Sequence, residues 1–265
     1  TVTPVGYFLQ NWQYWNQAQG WSCNQVPTIN TDVIIPGYTK YAVNPIINSN
    51  AEANNIYIGD YSMLSFYVLS PLSIKGNITI GQGATFYPNN GTVNFAGNSA
   101  QTIPAATYGG MRISGGGVKT LLGNVTVTGT LTLDSGVIYL GNNNLTIEST
   151  GSIVGGNSKA FIVANGSGKL IQKNIGASGR SGSILFAVGA NANSYTPITI
   201  TNTGTADDFG VNMLDYQNSS YNSGSPAGNT YSANAVGKTW MISETTAGGS
   251  NLGISLQWNQ TDELS

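Results

Sequence analysis

Histidine is absent from this chain, cysteine occurs once, and charged side chains make up only 8 % of its 265 residues. Ordinary globular proteins carry about 25 %. Each shortage closes a class of function. Without histidine the commonest general base is missing. One cysteine, Cys23, leaves no internal disulfide, so stability has to come from packing. The nine Lys and Arg residues are scattered and the net charge is −2, so no basic stripe exists to displace counterions from a nucleic acid. Low charge is also a habit of membrane proteins. No apolar run here approaches the roughly 18–20 residues of a spanning helix, and no basic amphipathic segment points to a membrane surface. Disorder is excluded by the wealth of aromatic and β-branched residues.

What is present is a series of short apolar bursts separated by Gly, Asn, Ser and Thr. Helical spacing is nearly absent and strand signals are dense. Residues 124–133 (NVTVTGTLTL) alternate β-branched apolar residues with Thr, the period of a half-buried strand. Residues 76–86 (GNITIGQGATF) line up with residues 129–139 (GTLTLDSGVIY), and residues 143–153 (NNLTIESTGSI) repeat them with one insertion. Residues 55–64 and 123–128 are shorter echoes. Each unit reads as strand, glycine-containing corner, strand. Such a unit cannot bury its apolar face alone, whereas stacked coils share a continuous interior. The expectation is an all-β chain built on a parallel β-helix of at least four coils between about residues 50 and 180. Asn142, Asn143 and Asn144 are candidates for a ladder between coils. An antiparallel sandwich is the alternative, but hairpin signals are few, chiefly Asn90-Gly91 and Asn165-Gly166.

The stack needs its ends covered. Tyr7, Phe8, Trp12, Tyr14, Trp15 and Trp21 suit residues 1–50 to an aromatic N-terminal cap, or else to a sugar-binding surface. Cys23, beside Trp21, is expected to be buried and inert. The helix then occupies residues 51–180. Residues 181–265 read as a smaller β-sandwich-like region, with a Gly/Ser/Asn-rich loop over about 217–235 and strands at 239–242 and 253–258.

Several of these stretches are similar to a known pattern. Trp15 through Gly20-Trp21, Pro27, the run Asp32-Val33-Ile34-Ile35-Pro36 and residues 53–58 (ANNIYI) resemble the opening of large β-helical surface proteins of Bacteroidetes-type bacteria. Residues 186–189 (FAVG), 195–200 (YTPITI) and Trp240 resemble the segment that follows their β-helix. Ala187 stands where that turn usually has Pro. The resemblance implies type IX secretion, an extracellular, cell-surface location, and a role in stalks, adhesion or surface structure. It fixes no catalytic residues. The family's C-terminal sorting domain is not in this sequence, which implies a longer protein or a lost domain. No basic start or apolar h-region follows Thr1.

Catalysis on a β-helix would need paired carboxylates, about 5–9.5 Å apart in a glycosidase. The coil region offers mainly Asp134 and Glu148, both at corners just after a strand. The cluster Asp207, Asp208 and Asp215 could offer oxygen ligands to Ca²⁺, without EF-hand or RTX spacing, or could be solvated loop acids. Thr126, Thr128, Thr130 and Thr132 form a Thr-x-Thr run with echoes at Thr79 and Thr146. It suits an exposed strand face, and would suit ice only if repeated on successive coils. Tyr57, Tyr61, Tyr67, Tyr87 and Tyr108 would serve sugar binding if they face out together. No catalytic, cofactor-binding or metal residue is assigned. The function expected is a structural or adhesive surface module, with other copies or domains of an assembly as partners and polysaccharide as a further one. A carbohydrate-binding module and an atypical polysaccharide-active enzyme are the alternatives.

Overall fold

A computed structural model describes residues 4–9, 11–38, 44–67, 69–222 and 224–265. The chain is all-β, with a parallel β-solenoid of about six turns. Each coil lays down three short strands on three faces. On the third face the strands Ala51–Ala53, Pro71–Ile74, Thr92–Phe95, Gly110–Ile113, Thr130–Leu133 and Ser152–Gly155 form one six-stranded sheet, paired parallel throughout. The first face starts with Val5–Tyr7, Asp32–Ile35, Ile56–Ile58 and Ile78–Ile80. It resumes in a new sheet with Gln101–Ile103, Lys119–Leu121, Gly136–Tyr139, Ala160–Val163 and Val188–Asn191. The second face likewise passes from Ile46–Ile47, Met63–Phe66 and Thr85–Tyr87 to Thr107–Tyr108, Val125–Val127, Leu145–Ile147 and Leu170–Ile175.

Period-two alternation sets the interior. Leu72, Val93, Met111 and Leu131 stack in one buried row, and Ile74, Phe95, Ile113 and Leu133 in the next. Burying each such side chain stabilises the fold by about 1.5–3 kcal/mol. The corners are held by side chains. Asp32 Oδ1 accepts from the Asn55 backbone N–H at 3.1 Å, Asn55 Oδ1 from Asn77 at 2.9 Å, and Asn77 Oδ1 from Thr102 at 2.7 Å. A second ladder runs from Asn124 to Asn144 to Lys169 at 2.8 and 2.9 Å. In the Asn142–Asn144 run, Asn144 belongs to this ladder, while Asn143 Nδ2 donates to the Leu121 carbonyl of the preceding coil and Asn142 Oδ1 accepts from the Ser167 hydroxyl of the next at 3.1 Å. Asn90-Gly91 and Asn165-Gly166 turn corners between faces rather than closing hairpins.

The boundaries at residues 50 and 180 do not coincide with breaks in packing. Parallel pairing begins at Val5–Tyr7 with Asp32–Ile35, inside the segment expected to be only a cap. Phe8, Trp15 and Trp21 do fill that end, with edge-to-face contacts at 5.2 and 4.8 Å. Past the last coil, Asp207–Leu214 and Thr239–Glu244 extend the second face with antiparallel strands. A further antiparallel sheet joins Ile184–Phe186, Ile198–Asn202 and Leu252–Leu256. One apolar core runs from Phe8 to Met213, so this sandwich-like region shares the solenoid's interior. Within the loop expected over 217–235, Asn218–Asn222 pairs with Ser225–Thr230 as a hairpin.

One expectation is overturned. Cys23 is exposed, its thiol reaching only the Gln25 carbonyl at 3.3 Å. Its neighbour Trp21 turns inward, with its indole N–H on the Trp15 carbonyl at 2.9 Å. Two residues later the chain has left the core, and aromatic company in sequence was no guide to burial. Among the described residues, no helix is long and apolar enough to cross a membrane.

Candidate functional site

The two carboxylates considered for catalysis are kept apart. Asp134 follows a third-face strand and pairs with Arg112, its neighbour on the preceding coil. Glu148 follows a second-face strand and pairs with Lys173 Nζ at 2.9 Å. That hydrogen bond raises the Lys173 pKa, outweighing its slight desolvation. Each acid is thus neutralised by a cation on an adjacent rung.

The acidic cluster disperses as well. Asp207 and Asp208 open the strand Asp207–Leu214 and Asp215 lies past its far end, about 25 Å away at roughly 3.3 Å per residue. Asp208 Oδ1 accepts from the Asn174 N–H at 2.9 Å, and Asp207 Oδ2 from Thr246 at 2.8 Å. Asp215 binds Lys238 Nζ at 2.7 Å. Among the described residues no group of three or more His, Cys, Asp or Glu side chains is placed to hold a metal ion.

The structure assembles two charged arrangements that sequence reasoning missed. Lys238 bridges Asp215 and Asp262, the latter at 2.8 Å, with Lys238 and Asp262 both nearly buried. Burial pushes the Asp262 carboxyl up, but Lys238 and the two Asn259 donors outweigh it and leave it below its ordinary value. Burial likewise pulls Lys238 down, and its two carboxylate partners carry it above its ordinary value. These contacts anchor the last turn of the chain. The second arrangement is Lys119, which is wholly buried. Its ammonium donates to the carbonyls of Gly97 at 2.8 Å, Gly117 at 2.9 Å and Gly115 at 3.3 Å. Desolvation lowers its pKa to about 8. Nothing in the local sequence KTLLG marks this lysine as internal; only its register opposite Gln101 and Ile138 does.

The threonine run turns a corner. Thr126 belongs to the second face, Thr128 lies at the corner just past it, and Thr130 and Thr132 belong to the third. Thr126 aligns with Thr107 and Thr146 in a row of three, while Thr79 sits on the first face opposite Tyr57.

The aromatic residues divide more cleanly. Tyr108 is buried, its hydroxyl donating to the Pro104 carbonyl at 2.8 Å and its ring edge-on to Phe86 and Phe95. Tyr57, Tyr61, Tyr67 and Tyr87 are exposed, at 41, 64, 65 and 49 %. Three of the outward tyrosines share the second face. Tyr14 bridges to Ile46, Ile46 pairs with Ser65, and Ser65 pairs with Tyr87. Tyr67, two residues past Ser65, alternates to the same side. Tyr61 stands at the corner over Gly83, and Tyr57 lies on the first face. Beside Tyr67, a shallow groove of about 350 Å³ crosses several coils, lined by Leu69, Asn89, Asn90, Thr92, Thr128 and Thr150.

Comparison with family models, curated proteins and solved structures finds no match to this chain.

Proposed function

We propose that the chain is a structural or adhesive extracellular module, one stiff element of a larger stalk, filament or cell-surface assembly. The observation that carries this reading is the continuous apolar core that runs from Phe8 to Met213. Such a body transmits load along its length. Its outward rows are mostly neutral hydrogen-bonding side chains, each contact worth about 1 kcal/mol net. Firm attachment then arises from many copies acting together. The partners in this reading are other copies or domains of the assembly and polysaccharide, not nucleic acid or the membrane interior. The resemblance to type IX secretion cargo supports an extracellular location and secretion by that route.

The test pairs attachment with turnover. Beads coated with the purified chain are to be held by polysaccharide or cell surfaces under flow, and a polysaccharide panel is to remain uncleaved. Turnover abolished by Asp134→Ala or Glu148→Ala would overturn the reading in favour of an atypical polysaccharide-active enzyme. A second reading, a carbohydrate-binding module, is favoured by the exposed tyrosines of the second face beside the corner groove. Tyrosine rings stack on the apolar faces of sugars. A glycan array on which Tyr67→Ala and Tyr87→Ala lose the signal supports it, and a blank array counts against it.

A further inference from the structure

The two antiparallel sheets that follow the coils do not close on each other. Leu252–Leu256 is the edge of one and Thr239–Glu244 the edge of the other, with no further strand paired to either among the described residues. Register places Leu256 opposite Ile198 and Ile254 opposite Ile200, so these aliphatic groups share a side with buried core residues. Leu252 follows the same alternation. Yet Leu252, Ile254 and Leu256 are 37, 47 and 39 % exposed. Across from them, Ile242 pairs with buried Val211 and faces the same space. Between the edges lies an open cleft of about 480 Å³, with Phe209 at its base and Ile242, Leu252 and Ile254 on its walls. The inward face of a sandwich strand is here left uncovered.

Edge strands are ordinarily guarded by lysine, proline, a bulge or an inward charge. From Asn251 to Gln257 (NLGISLQ) there is no charged residue and no proline, and the strand pairs with Ile198–Asn202 without a register shift. The segment is also self-complementary. Turned antiparallel on itself about Ile254, it sets Leu252 across from Leu256 and Gly253 across from Ser255, with Ile254 meeting its own copy. Apolar groups would meet apolar groups on one side, and small groups would meet small groups on the other. A two-fold contact of this kind uses one patch on both partners.

We propose that the edge Leu252–Leu256 is the docking site for a second copy of this chain, joined antiparallel through a two-fold axis at Ile254 into one continuous sheet. The proposal rests on the reading of the chain as a member of a multi-copy assembly, and names the surface that begins that assembly. Main-chain pairing supplies the affinity, and the paired aliphatics cover the two clefts.

Light scattering across micromolar to millimolar concentrations tests it. The chain is expected at twice its 27.7 kDa mass, and Ile254→Lys, which sets two like charges on the axis, at the single-chain mass with an unchanged circular dichroism spectrum. In a Cys23→Ser background, Ile254→Cys is expected to give a covalent dimer on mild oxidation. A wild-type chain that stays at the single-chain mass overturns the proposal. So does a dimer that persists in the lysine variant, or one that the engineered cysteine does not cross-link. A monomer that still holds beads to polysaccharide under flow would sink this interface and leave the adhesive reading standing.

Discussion

A buried lysine without a carboxylate partner makes the stability of this fold depend on alkaline pH in an unusual direction. Lys119 has its pKa lowered from 10.5 to about 8 by desolvation, while its ammonium is held by three carbonyl groups. Below about pH 8 the side chain is charged in both the folded and the unfolded chain, and the fold carries the full cost of burying that charge. Above it the folded form sheds the proton and the unfolded chain keeps it. The unfolded state then binds more protons, so stability rises with pH. At about 1.4 kcal/mol per pKa unit, the gain between about pH 8 and about pH 9.5 is about 2 kcal/mol. Burial also raises the pKa values of Tyr108 and Tyr195 above their ordinary 10.0, so near and above that value those phenols work the other way. The scan therefore stops short of it. Denaturant midpoints followed by tryptophan fluorescence are expected to climb across this window in the wild type and to stay level in Lys119→Met. A level or falling wild-type profile would refute the reasoning.

At the acid end, Asp262 contributes stability that is present above its ordinary pKa of 3.8 and is lost as pH falls through its lower folded value. Asp262→Asn is expected to cost about 3 kcal/mol at neutral pH and to flatten the acid limb of the denaturation profile. Gly129 stands where the threonine run turns from the second face to the third, and a Cβ there would overlap the Gly109 carbonyl oxygen of the preceding coil. Gly129→Ala is expected to cost about 2–3 kcal/mol by thermal or denaturant unfolding, and a neutral result would show that the corner can relax. The Cys23 thiol is expected to react with a thiol reagent in the native state as fast as in denaturant. Protection until unfolding would contradict its exposure.

The strand–corner–strand unit was legible because its period of two and its glycines are local. The coil was harder to read. Residues 76–86 span a corner from the first face to the second, residues 143–153 from the second to the third, and residues 129–139 from the third to the first. The similar segments are three corners of the same kind of body rather than three successive coils, which accounts for their irregular offsets. The true repeat is the register spacing, 21 residues from Pro71 to Thr92 and 22 from Thr130 to Ser152, and it carries little residue identity. The acids were legible as separate residues, and sequence distance alone was enough to doubt a catalytic pair. Their cations were not, because Arg112 and Lys173 reach Asp134 and Glu148 only through stacking. Which tyrosines face outward follows from alternation within each strand; which of them share a face does not.

The same stacking logic explains why Gln101 and Lys119 enter the interior near the middle of the solenoid. From Thr92 to Gly110 the register spacing falls to 18 residues, the shortest along the third face. The third face absorbs the shorter coil and continues. On the first and second faces the ladders stop at Ile78–Ile80 and Thr85–Tyr87 and restart in new sheets. Near this break, carbonyl groups at the corners turn toward the interior, where leaving one unpaired costs about 1–3 kcal/mol. Long side chains make up the loss. Gln101 Nε2 donates to the carbonyls of Ile74, at 3.1 Å, and Gly76, while its Oε1 accepts from the Gly97 N–H at 2.8 Å. One coil further on, Lys119 occupies the register position of Gln101 and takes the carbonyls of Gly97, Gly115 and Gly117. In the next two coils the ladder is regular again, and the same position holds Ile138 and then Ile162. The succession Gln, Lys, Ile, Ile down one interior row marks how far the disturbance at the interrupted ladder spreads. The three carbonyl groups offset only part of the cost of burying the Lys119 charge, which is why its pKa stays lowered.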